Sequence, residues 1–333
     1  MIEFLPLVAP GSFALLSTLE FCATSDDAIA LLQIEFAPRL TSIFLHSPQI
    51  EEAGDLHQFL SRLSKARPSL RRLRLDLVQF TDGPLNDING LETDRITFET
   101  LEPLLAFPIL VDLRVSYHRQ FQLDEYHLMK LLEGWRDLEC LCLCSDPLLE
   151  EVPILPPTVL YLTAWRCPRL RLLKLYLSTC ISPHHDHFRP VYFQSLEAIE
   201  FGTSPLASEG DVPKFATFLS RILPNMCRVD PLFDMNWLRG QDFEFWDFEW
   251  RQDLRKRWER VSSAVKMLVA ARAEERRAYC ELATRYNGLN AKYSELLARL
   301  GEPKGRAQHG EVRLSENIYG CIFVYSSDRK SVV

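Results

Sequence analysis

The sequence predicts an α/β leucine-rich-repeat solenoid, a curved parallel sheet with outer helices, followed by a long C-terminal helix. Three observations predict it. The frame L-x-x-L-x-L, which sets a short strand in such repeats, recurs seven times in phase. Between the strands the apolar spacing changes from two residues to about 3.6. Proline then follows three of the predicted helices just before the next strand, where it cannot continue a helix.

The copies of the frame are Leu16-Leu19-Phe21, Leu40-Ile43-Leu45, Leu70-Leu73-Leu75, Leu110-Leu113-Val115, Leu138-Leu141-Leu143, Leu170-Leu173-Leu175 and Leu196-Ile199-Phe201. A degenerate eighth copy is Met226-Val229. Helical faces lie between them: Leu56, Phe59, Leu60 and Leu63; Phe98, Leu101, Leu104 and Leu105; Leu128, Leu131 and Leu132; Phe215, Phe218, Leu219 and Ile222. Pro68, Pro108 and Pro224 are the stops. The run Leu155–Leu162 falls out of phase and reads as an abbreviated repeat or loop strand. A dinucleotide-binding α/β sheet would need a glycine-rich phosphate turn, and with 13 glycines and no G-x-G-x-x-G the chain lacks one.

Composition bounds the function. An apolar fraction of 47% and a charged fraction of 25% are those of a folded soluble chain of 333 residues. A net charge of −7 argues against nucleic acid as the partner, and no apolar run is long enough to span a membrane. Nine cysteines, an odd count without a basic signal-peptide start, point to a reducing compartment, cytoplasmic or nuclear. No zinc-protease, phosphate-loop, kinase or serine-hydrolase motif is present. The expectation is a chain that is not an enzyme and needs no cofactor.

Strand side chains alternate between faces, so the residues between the leucines line the face opposite the core. The central file runs Glu20, Phe44, Arg74, Arg114, Cys142, Lys174 and Glu200. One flanking file carries Arg72, Asp112 and Cys140; the other carries His46, Asp76, Cys144 and Tyr176. Phe44, Arg72, Arg74, Arg114, Lys174 and Tyr176 are the candidate partner-binding residues, because arginine forks suit the carboxylates or phosphates of an acidic or phosphorylated protein segment. The alternative is structural: Arg72, Arg74 and Arg114 pair with Asp76 and Asp112 across neighbouring strands. Cys140, Cys142 and Cys144 lack metal-site spacing, since alternate side chains on a strand stand roughly 6.5–7 Å apart. The cluster His184, His185, Asp186 and His187 reads as a solvated loop. No metal site is expected.

The segment 237–250 interleaves Trp237, Phe243, Phe245, Trp246, Phe248 and Trp250 with four acids, and reads as a cap on the open end of the repeats or a docking peptide. Beyond it, Trp250, Leu254, Trp258, Val261, Val265 and Leu268 form one helical stripe. Tyr279, Leu282, Tyr286, Leu289, Tyr293, Leu296 and Leu300 form a seam at coiled-coil spacing. The helix either packs back on the repeats or associates with a copy of itself through Tyr279–Leu300.

The run P-S-L-R-R-L-R-L from Pro68 to Leu75, the C-P-R-L entry at Cys167–Leu170 and the I-L-P-N-M segment at Ile222–Met226 resemble the repeat region of fungal F-box/leucine-rich-repeat proteins, over roughly residues 10–260. The resemblance implies a substrate-binding repeat module of a cullin–RING ubiquitin ligase, docked to its adaptor by an F-box helix bundle. No F-box is found before the first repeat at Leu16, so adaptor binding is not expected of this chain. The predicted organisation is a solenoid over 1–235, an aromatic cap and long amphipathic helix over 236–301, and a flexible tail over 302–333. The expected function is protein–protein interaction; the alternative is a scaffold that oligomerises through its C-terminal helix.

Overall fold

A computed structural model describes residues 15–32, 39–49, 51–77, 95–147, 151–181, 191–206, 208–230, 248–299, 313–316 and 322–325. The chain divides into two units, Met1–Ala273 and Glu274–Val333.

The first unit is an α/β layer built on one eight-stranded parallel sheet: β1 (Thr18–Cys22), β2 (Ser42–His46), β3 (Arg72–Asp76), β4 (Asp112–Ser116), β5 (Cys140–Leu143), β6 (Leu172–Leu175), β7 (Ala198–Glu200) and β8 (Arg228–Asp230). The strands lie side by side in chain order. Each of the seven frames and the degenerate eighth places one strand. The register is constant: Leu19, Ile43, Leu73, Leu113, Leu141, Leu173, Ile199 and Val229 pair as one row across the sheet. Burial fixes this register, because a slip of one residue would turn the whole leucine row outward.

Helices α1 (Ser25–Leu32), α2 (Ala53–Ala66), α3 (Phe98–Leu101, extended by a 3-10 turn over Glu102–Ala106), α4 (Glu125–Glu133), α5 (Val159–Arg166) and α6 (Asp211–Ile222) join successive strands. They pack on one another in chain order as a single layer. The predicted apolar faces are their buried sides: Leu56, Phe59, Leu60 and Leu63 of α2, and Leu128, Leu131 and Leu132 of α4, are fully buried. A recurrent turn then feeds five of the strands, β3 to β6 and β8. The amides of Leu70, Leu110, Leu138, Leu170 and Cys227 each donate to the carbonyl three residues earlier. In the last repeat this leaves Met226 at 88% exposure and puts Cys227 in the buried slot, one residue later than the frame predicts.

The run Leu155–Leu162 is corrected: it enters helix α5 and is not a strand. The amides of Val159 and Leu160 donate to the carbonyls of Pro156 and Pro157, which start the helix. Val159, Leu160, Thr163 and Ala164 then bury one helical face. The continuous core runs from Ala23 to Val269 and takes in the first part of the last helix, α7 (Phe248–Arg299). In the second unit, β9 (Arg313–Glu316) and β10 (Ile322–Tyr325) pair antiparallel within the stretch expected as a flexible tail. His184–His187, Trp237, Phe243, Phe245, Trp246 and Leu300 lie outside the described residues.

Candidate interaction face of the sheet

The parallel register sets Glu20, Phe44, Arg74, Arg114, Cys142, Lys174, Glu200 and Asp230 in one file on the face away from the leucines. Its middle is a compact charged cluster. Asp112 accepts from Arg74 Nη2 at 2.8 Å and from Arg114 Nε at 2.8 Å and Nη2 at 3.3 Å. The Arg74 guanidinium lies 4.7 Å above the Phe44 ring, a favourable approach of a cation to a ring face. Burial works against the charge on Asp112, but the hydrogen bonds from Arg114 and Arg74 hold its carboxyl below the usual carboxylate range. Two guanidinium groups thus share one carboxylate, leaving one positive charge. The arginine side chains keep 40% and 35% of their surface in solvent, and Arg74 Nε has no hydrogen-bond partner among the described residues.

The other candidates fall in three settings. Arg72 is exposed on β3 with no ion-pair partner among the described residues, and Asp76 faces His46 at 3.6 Å. Lys174 is joined to Glu200 on the next strand, a pair that raises the lysine's pKa against the opposing effect of burial. Lys174 is therefore neutralised within the sheet. Tyr176 is buried; its hydroxyl donates to the carbonyl of Glu151, and its ring lines a cleft of about 350 Å³ with Pro147, Pro153, Pro205, Trp250 and Arg251. The cleft lies beyond the C-terminal ends of β5–β7. Three loops and the start of α7 build it, so no single stretch of sequence announces it.

The cysteines depart from expectation. Cys140 and Cys142 are buried, and their sulfurs stand 3.8 Å apart, closer than the strand repeat alone allows, because both side chains lean toward each other. Cys144 is not on the open face. Its φ of 38° breaks the strand after Leu143 and turns the thiol inward, where it donates to the carbonyls of Arg119 and Tyr117 at 2.8 and 3.2 Å. Burial pushes this thiol well above its ordinary pKa. Among the described residues, no group of three His, Cys, Asp or Glu side chains is placed to hold a metal ion, and no helix is long and apolar enough to cross a membrane.

Sequence reasoning missed His46, which sits between Glu20 at 3.4 Å and Asp76 at 3.6 Å. The signal was present in part, since His46 and Asp76 are neighbours in one flanking file, with Glu20 in the central file of the strand beside His46. The pairing alternative holds for Arg74 and Arg114, which both pair with Asp112, whereas Arg72 has no ion pair with Asp76 or Asp112 among the described residues. The sheet face therefore carries a part-solvated cationic centre in its middle and neutralised pairs toward its last strands. Compared with known proteins, the chain matches no family model and no curated sequence.

Proposed function

We propose that the chain is a protein-interaction module, a leucine-rich-repeat solenoid whose open sheet face binds an acidic or phosphorylated segment of a protein partner. The reading follows the resemblance to the substrate-binding repeats of F-box ubiquitin-ligase receptors. One observation carries it: Arg74 and Arg114, neighbours in register, share a single carboxylate and keep over a third of their surface in solvent. Their fixed, excess cationic forks match a carboxylate or phosphate, and Phe44 offers an adjacent ring.

The test uses the full chain and acidic and phosphoserine peptides selected on it from a random library. Asp112 is only 7% exposed. Removing both arginines alone would strand its charge, so the variant is Arg74→Ala/Arg114→Ala/Asp112→Asn. The selected peptides should bind this variant about tenfold more weakly at low salt, with a smaller difference at moderate salt. Equal affinity at both salt concentrations would return the arginines to a purely cross-strand role.

A further inference from the structure

Helix α7 carries one alternation of three and four along most of its length: Leu254, Trp258, Val261, Val265 and Leu268, then Arg272 and Glu275, then Tyr279, Leu282, Tyr286, Leu289, Tyr293 and Leu296. The first set lies in the core of the first unit, with Leu254, Trp258, Val261 and Val265 no more than 3% exposed. The second set stands in solvent. Exposure runs from 43% at Tyr279 to 67% at Leu289, and all six are large apolar or aromatic side chains. Scattered exposed apolar residues are ordinary, but a contiguous stripe at seam spacing marks a contact surface.

Charge decides what covers the stripe. Arg285, Lys292 and Arg299 follow one flank at seven-residue intervals, and Ala283, Asn290 and Leu297 follow the other. The acids of this stretch, Glu281 and Glu295, lie one position before Leu282 and Leu296, off both flanks. Glu295 meets Arg299 at 2.6 Å in an exposed pair, whereas Arg285 and Lys292 have no ion-pair partner among the described residues. A second copy laid antiparallel would set the basic flank against itself. Laid parallel, it would set those cations against Asn290 and Leu297, with no anion to meet them. Flanking charges select the partner in such seams.

We propose that the face Tyr279–Leu296 docks an amphipathic helix of another protein, one with an apolar seam and glutamate or aspartate along its flanks. The tyrosine and leucine rows bury against that seam, and Arg285, Lys292 and Arg299 pair with its acids. The proposal is independent of the sheet-face reading, since it uses none of the same residues.

The test titrates the full chain with two synthetic heptad peptides of about four repeats, both with leucine in the seam. One has glutamate and the other lysine on its flanks, so neither pairs with itself. Fluorescence anisotropy reads binding, and sedimentation reads the oligomeric state of the chain alone. The chain should be a monomer and bind the acidic peptide at least about tenfold tighter than the basic one at low salt, with the advantage shrinking as salt rises. Arg285→Glu/Lys292→Glu/Arg299→Glu should reverse the preference, and Leu289→Ser should abolish binding of both peptides without moving the unfolding midpoint. Equal affinity for the two peptides, binding of neither, or a dimer of the chain that Leu289→Ser dissolves would each overturn the proposal.

Discussion

His118 is 1% exposed, its ring centroid 4.2 Å from that of Tyr117, and neither ring nitrogen has a hydrogen-bond partner among the described residues. Burial, with the neighbouring Arg119 charge, pushes its pKa down from 6.5 to about 4. Between those values the unfolded chain binds a proton there that the folded chain refuses. The stabilisation from this histidine is therefore full above pH 6.5 and is lost as pH falls toward 4. Asp146 acts in the opposite sense. Burial raises its carboxyl from 3.8 to about 6, so the folded state binds more protons across that window and gains stability on acidification. The two trends overlap, and the measured profile of the parent sums them with those of the other shifted groups, Asp112 among them. Replacing His118 with Phe separates them, because Asp146 is common to both proteins. In denaturant unfolding at pH values from 7 to 4, the stability of the parent relative to His118→Phe should fall steadily. A difference that stays level would contradict a neutral, buried imidazole.

At the scale of the element, the repeat is a leucine row on a strand held under a helix. Leu73 and Leu141 occupy the same row on β3 and β5 and are fully buried. Truncating either to Ala removes apolar area from water and leaves a cavity, at a cost on the order of 2–5 kcal/mol. Urea midpoints of Leu73→Ala and Leu141→Ala check this; unchanged midpoints would refute the shared core. The helical faces were legible because three or four leucines or phenylalanines sat at i, i+3 and i+4. Helix α5 was not, because its first residues form a short apolar run that a strand would also use. Only Thr163 and Ala164, at the next turn, complete the helical face. The end of β5 was illegible for a different reason. Cys144 takes a positive φ that nothing in its residue type requires. Gly202, at φ 49°, lies against the next residue, Ser145, and an added Cβ there would sit 2.1 Å from the Ser145 carbonyl oxygen. That close approach calls for glycine, and no spacing rule reveals it.

For the whole molecule, the exposed ends of a row of strands have to be covered, since each strand otherwise leaves half its apolar contacts unmade. Beyond the C-terminal end of β7 the cover is the first part of α7, which packs on Phe201 and on Phe215 of α6. Trp258 is 1% exposed, stacked on Phe201 at 4.8 Å and edge-on to Phe215 at 5.6 Å, with Nε1 donating to the Ser204 carbonyl at 3.0 Å. Trp258→Ala should lower stability by about 3–5 kcal/mol. Ending the chain after Ala273, the boundary of the first unit, should leave the main unfolding transition near its parental midpoint. Calorimetry of both variants distinguishes the two parts of the helix. A large downward shift on truncation would mean that residues beyond the boundary contribute to the first unit's core. At the other end of the sheet, β1 pairs only with β2 among the described residues, and Leu16, Leu19 and Phe21 are partly buried where the matching residues of β2 and β3 are sealed.

The sequence by itself determined the positions of eight strands, their common register and the buried faces of four helical segments. These are set by side-chain period and apolar burial, which are local properties repeated along the chain. It also determined which residues share the open face, since alternation on a strand and parallel register together fix the file from Glu20 to Glu200. What that file does electrostatically was decided only by tertiary structure. Lys174 and Glu200 lie on adjacent strands 26 residues apart in the chain, and their pairing neutralises a cation that the sequence offered as free. Asp112 draws Arg74 and Arg114 together because the sheet brings a carboxylate and two guanidinium groups into one half-buried place. The seam on α7 shows the same division. Its spacing was plain in the sequence, but only folding separates the stretch ending in Leu268, packed in the core, from Tyr279–Leu296, left in water. Burial belongs to the surroundings of a side chain, and those come from parts of the chain distant in sequence.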